Sequence, residues 1–207
     1  SSNWDGNHRA YVLEGDKFID IAKSTYNDPT KIRTVISADF DNDGYDEIFM
    51  NNIGEPNKLF KLLDDGKFEE IKIKNGLETF GLGTGAAVAD IDGDGILELL
   101  VSHGETGLQP LTLYKADIDK FNYLRIKPIN KYGAPARGAT VTLKSNKRIH
   151  SKTIDAGSGY LCQMEPVAHY GIRENENNIK IEIKWTDGST KKMDINNLNK
   201  TYQIKQN

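Results

Sequence analysis

An acidic pattern of eleven residues occurs twice in this chain and restricts its fold more than any other feature. Ala38-Asp39-Phe40-Asp41-Asn42-Asp43-Gly44-Tyr45-Asp46-Glu47-Ile48 is matched, fifty-one residues on, by Ala89-Asp90-Ile91-Asp92-Gly93-Asp94-Gly95-Ile96-Leu97-Glu98-Leu99. Each copy has carboxylates at loop positions 1, 3, 5 and 9 and glycine at position 6. So many like charges in so short a stretch repel one another, and a hard cation relieves that repulsion. Oxygen ligands without histidine or cysteine point to Ca²⁺ or Mg²⁺. Alternation along a tight turn aims positions 1, 3 and 5 at one point, and glycine at 6 permits the positive φ of the reversal. A flexible cage of about six or seven oxygens suits Ca²⁺, whereas Mg²⁺ keeps more of its water.

The expected ligands of one Ca²⁺ are therefore Asp39, Asp41, Asp43 and Glu47, with the carbonyl of Tyr45. Those of a second are Asp90, Asp92, Asp94 and Glu98, with the carbonyl of Ile96. Asp46, at position 8, is expected to face away, because neighbouring residues of a strand point to opposite sides. An EF-hand is excluded: its loop needs glutamate at position 12, where this chain has Met50 and Val101, and it needs flanking helices. The flanks here, Thr34-Val35-Ile36-Ser37 with Ile48-Phe49-Met50 and Ala87-Val88-Ala89 with Leu99-Leu100-Val101, are apolar runs that read as buried strands.

With 207 residues the chain is long enough to bury a sizeable core in one or two domains. The net charge of −3 conceals a division. Nine of the 30 acids lie in the two loops, so the other 21 face 27 bases, an excess of six positive charges. Those bases are scattered, without the clustered stripe of a nucleic-acid binder, and no nucleic-acid partner is expected. No apolar run is long enough for a transmembrane helix, so no membrane insertion is expected. The opening Ser1-Ser2-Asn3-Trp4-Asp5-Gly6 lacks the basic and apolar regions of a signal peptide. Cys162 is the only cysteine and forms no internal disulfide.

The loops belong to a longer repeat. Phe18 in Asp16-Lys17-Phe18-Ile19 corresponds to Phe68 in Gly66-Lys67-Phe68-Glu69, fifty residues on. A weaker echo is Leu113-Tyr114-Lys115, running on to Phe121, which resembles Leu59-Phe60-Lys61. Short strand patterns with Asp-Gly and Gly-Asp punctuation in a unit of this length match one β-propeller blade. The run Gly81-Leu82-Gly83-Thr84-Gly85-Ala86-Ala87-Val88-Ala89-Asp90 resembles the FG-GAP repeat of integrin-type propellers. So does the hairpin from Asn57-Lys58-Leu59-Phe60 to Gly66-Lys67-Phe68. The departure from that family is Glu47 and Glu98 at position 9, where Asp is usual. A phosphate-loop reading of the same glycine-rich run fails, because the run lacks a GK[ST] ending and precedes a strand.

Beyond Phe121 the repeat gives way to alternating strands: Leu124 with Ile126, Val141 with Leu143, and Ile179-Ile181-Ile183-Trp185 before the turn Thr186-Asp187-Gly188-Ser189. Met193 with Ile195 and Tyr202 with Ile204 continue the pattern. This part resembles the ASPIC/UnbV domain of the cartilage acidic protein-like family. The motifs are Arg137-Gly138-Ala139-Thr140-Val141, the segment from Gly157 to Gly171, and Trp185-Thr186-Asp187-Gly188. Thr186 stands where the family has proline, and Tyr170-Gly171-Ile172 where Phe-Gly-Leu is usual.

The expected architecture is all-β. Residues 1–120 form about two and a half propeller-like FG-GAP blades with two calcium loops, and residues 121–207 a compact sandwich- or barrel-like ASPIC/UnbV domain. The seam has no Gly/Ser linker, so rigid packing of the two parts is expected. An open set of blades exposes strand edges, so the chain is expected to be part of a longer one or to self-associate. His169 is read as structural, bonded inside its own domain. Cys162, in a strand-like Tyr160-Leu161-Cys162, and the aromatics Trp185 and Tyr160 are read as core residues. His8, His103 and His150 have no metal-ligand spacing. Asn199-Lys200-Thr201 is a glycosylation sequon. No set of nucleophile, base and oxyanion donors is recognisable. The function expected is non-enzymatic: an extracellular or cell-surface Ca²⁺-binding adhesion or interaction module with a protein or matrix partner. The resemblance implies that setting. The alternative is a glycan-binding module using Trp185, Tyr160 and polar loops.

Overall fold

The computed structural model describes residues 4, 6–63, 65–72, 82–104, 107–118 and 122–207. It is all-β: sixteen strands and one 3₁₀ turn, with no α-helix among the described residues. Gly81, which opens the glycine-rich run, and Phe121, at the expected seam and the end of the third echo, lie outside them.

The first part begins with a hairpin of β1 (Tyr11–Glu14) and β2 (Lys17–Asp20), whose reversal passes through Gly15 at φ 60°. A four-stranded antiparallel sheet follows, of β3 (Ile32–Ala38), β4 (Glu47–Asn52), β5 (Lys58–Leu62) and β6 (Phe68–Glu70). A three-stranded antiparallel sheet is next: β7 (Gly83–Ala89), β8 (Glu98–His103) and β9 (Thr112–Lys115). The third echo is therefore the outer strand of this sheet, matching β5 of the preceding one. Strand β3 shows why these segments pair: Ile32, Thr34, Ile36 and Ala38 point inward while Val35 and Ser37 face solvent.

Two apolar clusters hold this part together. Ile36 and Phe49 of one sheet pack with Ala86, Val88 and Val101 of the next. Tyr26, on the 3₁₀ turn Ser24–Asn27, stacks on Phe68 at 4.0 Å between ring centroids and meets Phe60 edge-on at 5.1 Å. Across the two sheets, Thr34 Oγ1 donates to the Thr84 carbonyl (2.7 Å) and Asn51 Nδ2 to that of Gly85 (3.1 Å).

The second part is a two-sheet sandwich. One sheet has β10 (Asn122–Ile129) at its centre, antiparallel to β13 (Ala168–Ile172) and parallel to β16 (Lys200–Lys205). The other runs in the order β12 (Ile149–Thr153), β11 (Thr140–Lys144), β14 (Lys180–Lys184), β15 (Thr190–Asp194), all antiparallel. Leu124, Ile126, Tyr170 and Ile172 meet Val141, Leu143, Ile181 and Ile183 in one core, as two inward faces of a sandwich should. The β14–β15 turn closes as its sequence demands, with Gly188 at φ 87° and Trp185 N donating to Ser189 O at 2.9 Å.

One expectation fails. Residues 157–164, which include Tyr160-Leu161-Cys162, form no strand, and Leu161 adopts φ 57°. Gly157 and Gly159 precede it, and the segment lies against the first part: Tyr160 N donates to Thr34 Oγ1 at 3.0 Å.

Candidate metal centres

Each acidic loop joins two paired strands, and the sheet register sets its mouth. Ala38 is opposite Glu47, and Ala89 is opposite Glu98, so the acid at position 9 is anchored in the ladder rather than in the loop. Gly44 (φ 91°) and Gly95 (φ 87°) take the left-handed conformation at position 6 that other residues resist.

Within each loop, one oxygen of each acid is tied to backbone. In the first, Phe40 N donates to Glu47 Oε2 (3.0 Å), Asp43 N to Asp41 Oδ1 (3.0 Å), Gly44 N to Asp39 Oδ2 (3.0 Å) and Tyr45 N to Asp43 Oδ1 (2.9 Å). In the second, Ile91 N donates to Glu98 Oε2 (2.7 Å), Asp94 N to Asp92 Oδ1 (3.3 Å), Gly95 N to Asp90 Oδ2 (3.1 Å) and Ile96 N to Asp94 Oδ1 (2.9 Å). These bonds leave the second oxygen of each acid free of backbone amides except at Asp90, whose Oδ1 also accepts from Gly93 N (2.8 Å). The ligand atoms of Asp39, Asp41 and Asp43 lie within 4.8 Å of one another, as do those of Asp90, Asp92 and Asp94.

Two lysines that the sequence reading passed over enter these clusters. Lys61 Nζ is 2.7 Å from Asp41 Oδ2, 2.5 Å from Asp43 Oδ2 and 3.6 Å from Glu47 Oε1. Lys115 Nζ is 2.6 Å from Asp92 Oδ2, 2.8 Å from Asp94 Oδ2 and 2.7 Å from Glu98 Oε1. Their ammonium groups occupy the side of the cage where a divalent ion would meet the same carboxylates. The available signal was the shared Leu-aromatic-Lys of the two repeats.

The donor set fits a hard cation. Asp39 Oδ1 and Glu47 Oε1 are buried and accept no hydrogen bond. Burial pushes the Asp39 carboxyl up to about 7, although Lys152 and the Gly171 amide oppose the rise. Burial, reinforced by Asp41, pushes Glu47 up to about 8. Removing carboxylates from water without enough positive charge has this effect, and a bound divalent ion would reverse it. Asp46 behaves differently. Burial would raise its carboxyl, but Lys152 at 2.6 Å and Ser37 at 3.0 Å hold it below the ordinary carboxylate range and turn it away from the loop centre.

Both loops face the second part of the chain. Strand β13 lies along the first: Gly171 N donates to Asp39 Oδ2 (2.8 Å), His169 Nε2 meets Asn42 Oδ1 (2.6 Å), and Arg173 Nε donates to Asp43 O (2.6 Å). Glycine is required at 171, since a methyl group there would overlap the Asn42 backbone. Strand β10 lies along the second loop, with Arg125 between Asp90 (2.8 Å) and Glu165, and the Tyr123 ring against Gly95. Asn42 Nδ2 also donates to Gly95 O (2.8 Å), joining one loop to the other.

Other residues singled out from sequence are placed as follows. His169 is structural, but its bond crosses to the first loop instead of staying in its own domain. Burial, aided by Lys152 and Arg125, lowers its pKa to about 3 and keeps the ring neutral. Because Asn42 Nδ2 is a donor to Gly95, Asn42 Oδ1 is the acceptor and His169 Nε2 carries the proton. Trp185 is in the sandwich core, 4% exposed, which takes it out of reach of a sugar. Tyr160 is not in the core: it is 39% exposed and has the Arg33 guanidinium over its ring at 4.7 Å. Cys162 is half-buried. His8 Nε2 is 2.9 Å from Thr30 Oγ1, and His150 packs edge-on against Tyr170.

Residues 39–101 match the family described as FG-GAP-like repeat, and residues 130–207 match the family described as ASPIC and UnbV. The chain is 44% identical over 200 residues to Cartilage acidic protein 1 of Homo sapiens, covering 90% of this chain and 30% of that protein. Identity to Cartilage acidic protein 1 is also 44% for Mus musculus and for Xenopus tropicalis, over 90% of this chain and 31% of each relative. The chain thus spans about a third of the length of the curated relatives it matches. Over most of its own length this all-β chain is similar to the cartilage acidic proteins, with a match to an FG-GAP-like repeat followed by one to an ASPIC and UnbV segment.

Proposed function

We propose that this chain is a non-enzymatic, Ca²⁺-binding interaction module that works outside the cell or at its surface. The observation that carries the reading is Asp39 Oδ1, buried without a hydrogen bond, beside Glu47 Oε1, buried and 3.6 Å from the Lys61 ammonium, in a loop whose Asp39, Asp41 and Asp43 ligand atoms lie within 4.8 Å of one another. Asp39, Asp41, Asp43 and Glu47 would hold one ion, with the Tyr45 carbonyl. Asp90, Asp92, Asp94 and Glu98 would hold a second, with the Ile96 carbonyl. Calcium supplies two positive charges that offset the repulsion among these acids. The FG-GAP-like match supports a calcium role, and the name of the relatives supports a matrix setting.

The residues around each loop then act as its frame. Backbone amides fix at least one oxygen of each acid, and Gly171, His169, Arg173 and Arg125 hold the loops against the second part. Rigid loops would fix how the FG-GAP-like part, about residues 1–120, presents itself beside the ASPIC/UnbV-like part, about residues 121–207. A protein or matrix component is the partner class this reading favours. Weak sites of about 10⁻⁴–10⁻³ M suffice outside cells, where calcium is abundant.

The test is metal analysis of protein dialysed against millimolar CaCl₂, paired with a pull-down from extracellular matrix extract with and without chelator. Two bound calcium ions per chain and chelator-sensitive capture are expected. Absence of bound metal, or capture that ignores the chelator, would refute the reading.

A further inference from the structure

The same interaction recurs in both repeats, although nothing in the acidic loop itself requires it. Lys115 is paired across the ladder with Glu98, the acid at position 9. Lys61 follows Phe60, which pairs with Ile48, and so stands beside Glu47 in the same way. Each lysine reaches the carboxylates at positions 3, 5 and 9 of its loop at 2.5–3.6 Å. The oxygens engaged, Asp41 Oδ2, Asp43 Oδ2 and Glu47 Oε1 in one loop and Asp92 Oδ2, Asp94 Oδ2 and Glu98 Oε1 in the other, are those the backbone amides leave over.

We infer that Lys61 and Lys115 are tethered competitors of calcium, each filling its loop in the metal-free protein and swinging out when the ion enters. The inference rests on the calcium reading above and adds a residue that sets the affinity. An ammonium and a divalent ion cannot share these oxygens at coordination distance. Calcium needs them at about 2.3–2.6 Å, and the two cations would repel. Departure is easy for the lysines: their side chains are 25% and 32% exposed, and a flexible four-carbon stem lets the head reach solvent without backbone motion. Such a loop is neutralised in part when calcium is scarce and yields only when calcium is plentiful. That lowers affinity while sparing the metal-free protein the full repulsion of its carboxylates.

The rival role is a rim ion pair that stays in place and orients the acids for the metal. The two roles predict opposite signs. Calcium titrations of the unaltered chain, Lys61→Met, Lys115→Met and Lys61→Arg at constant ionic strength separate them, with melting curves in calcium and in chelator. A pair of unit charges about 4 Å apart in a water-like dielectric changes an equilibrium by a factor of about six. Calcium entry breaks two or three such pairs at each lysine, so the cost is about tenfold or more in affinity. Each Met variant should therefore bind calcium about tenfold tighter at its own loop and unchanged at the other. It should melt lower in chelator but not in calcium, and Lys61→Arg should stay near the unaltered affinity. Should Lys61→Met fail to fold, Lys61→Gln and the more exposed Lys115→Met give the same readout. Unchanged or weaker binding by the Met variants, with the unaltered chain binding normally, overturns the competitor role and leaves the calcium reading standing. No binding by any variant at millimolar calcium overturns both.

Discussion

The two acidic loops share a sequence pattern and a backbone hydrogen-bond scheme, yet their surroundings make them unequal. In the first, Asp39 keeps Oδ1 buried and unbonded, and Gly171 and His169 of β13 lie close over the loop. In the second, both oxygens of Asp90 are engaged: Gly93 N bonds Oδ1 at 2.8 Å, while Gly95 N and the Arg125 guanidinium share Oδ2. Asp92 and Asp94 are also more open to solvent, their side chains 60% and 46% exposed against 35% and 24% for Asp41 and Asp43. A ligand set is therefore not defined by its acids alone. A cation already resident on one of them, here Arg125, lowers the attraction for an incoming ion, and solvent screens what remains. If both loops bind calcium as proposed, the tighter site is expected in the first loop.

The largest expected effect tests the resident cation. Arg125→Met leaves Asp90 buried and Glu165 half-buried without their partner, and breaking such a pair costs about 3–5 kcal/mol. The same change frees Asp90, so calcium should bind the second loop more tightly and restore part of the lost stability. A melting series with and without calcium reads both. A variant equally unstable in either condition would break the comparison.

Chelation comes next. A ligand at about 100 times its dissociation constant stabilises the folded chain by roughly 2.7 kcal/mol per site, and each kcal/mol moves the melting point of a chain this size by about 2–4 °C. Removing calcium should lower the melting point by several degrees, and Asp41→Asn should abolish most of that difference while Asp92→Asn abolishes less. Equal effects from the two substitutions would contradict an unequal pair.

A smaller effect is expected of Gly171→Ala. The added methyl meets the Asn42 backbone, and overpacking of this kind costs about 1–3 kcal/mol. The displaced first loop should lose calcium affinity while the second keeps its own. The smallest is Asp46→Ala, which removes the Lys152 ion pair for about 1 kcal/mol and should leave both calcium sites intact. Loss of a site there would mean that position 8 is a ligand.

The fold was largely legible because its signals are local. Period-2 alternation located β10, β11 and β14, and the run from Ile179 to Trp185 does supply the inner face of one sheet. The acidic loops were legible for the same reason, since positions 1 to 9 lie within one turn. The partners of those loops were not. Arg125, Gly171 and His169 reach them from dozens of residues away, and no periodicity records a contact between two sheets. Residues 160–162 were misread as a strand because apolar content suggested one, while Leu161 in the left-handed region and the glycines at 157 and 159 enforce a turn against the neighbouring sheet. Lys61 and Lys115 fell between these cases: their shared position in the repeats was visible, but not that both point into the acidic cages.

The most direct test of the central claim, that the acidic loops are unequal calcium sites, is a calorimetric titration of the metal-free chain with CaCl₂, repeated on Asp39→Asn and Asp90→Asn. Two binding events of different affinity are expected, with the tighter one lost in Asp39→Asn and the weaker one lost in Asp90→Asn. Absence of binding at millimolar calcium, or two indistinguishable events, would contradict that claim.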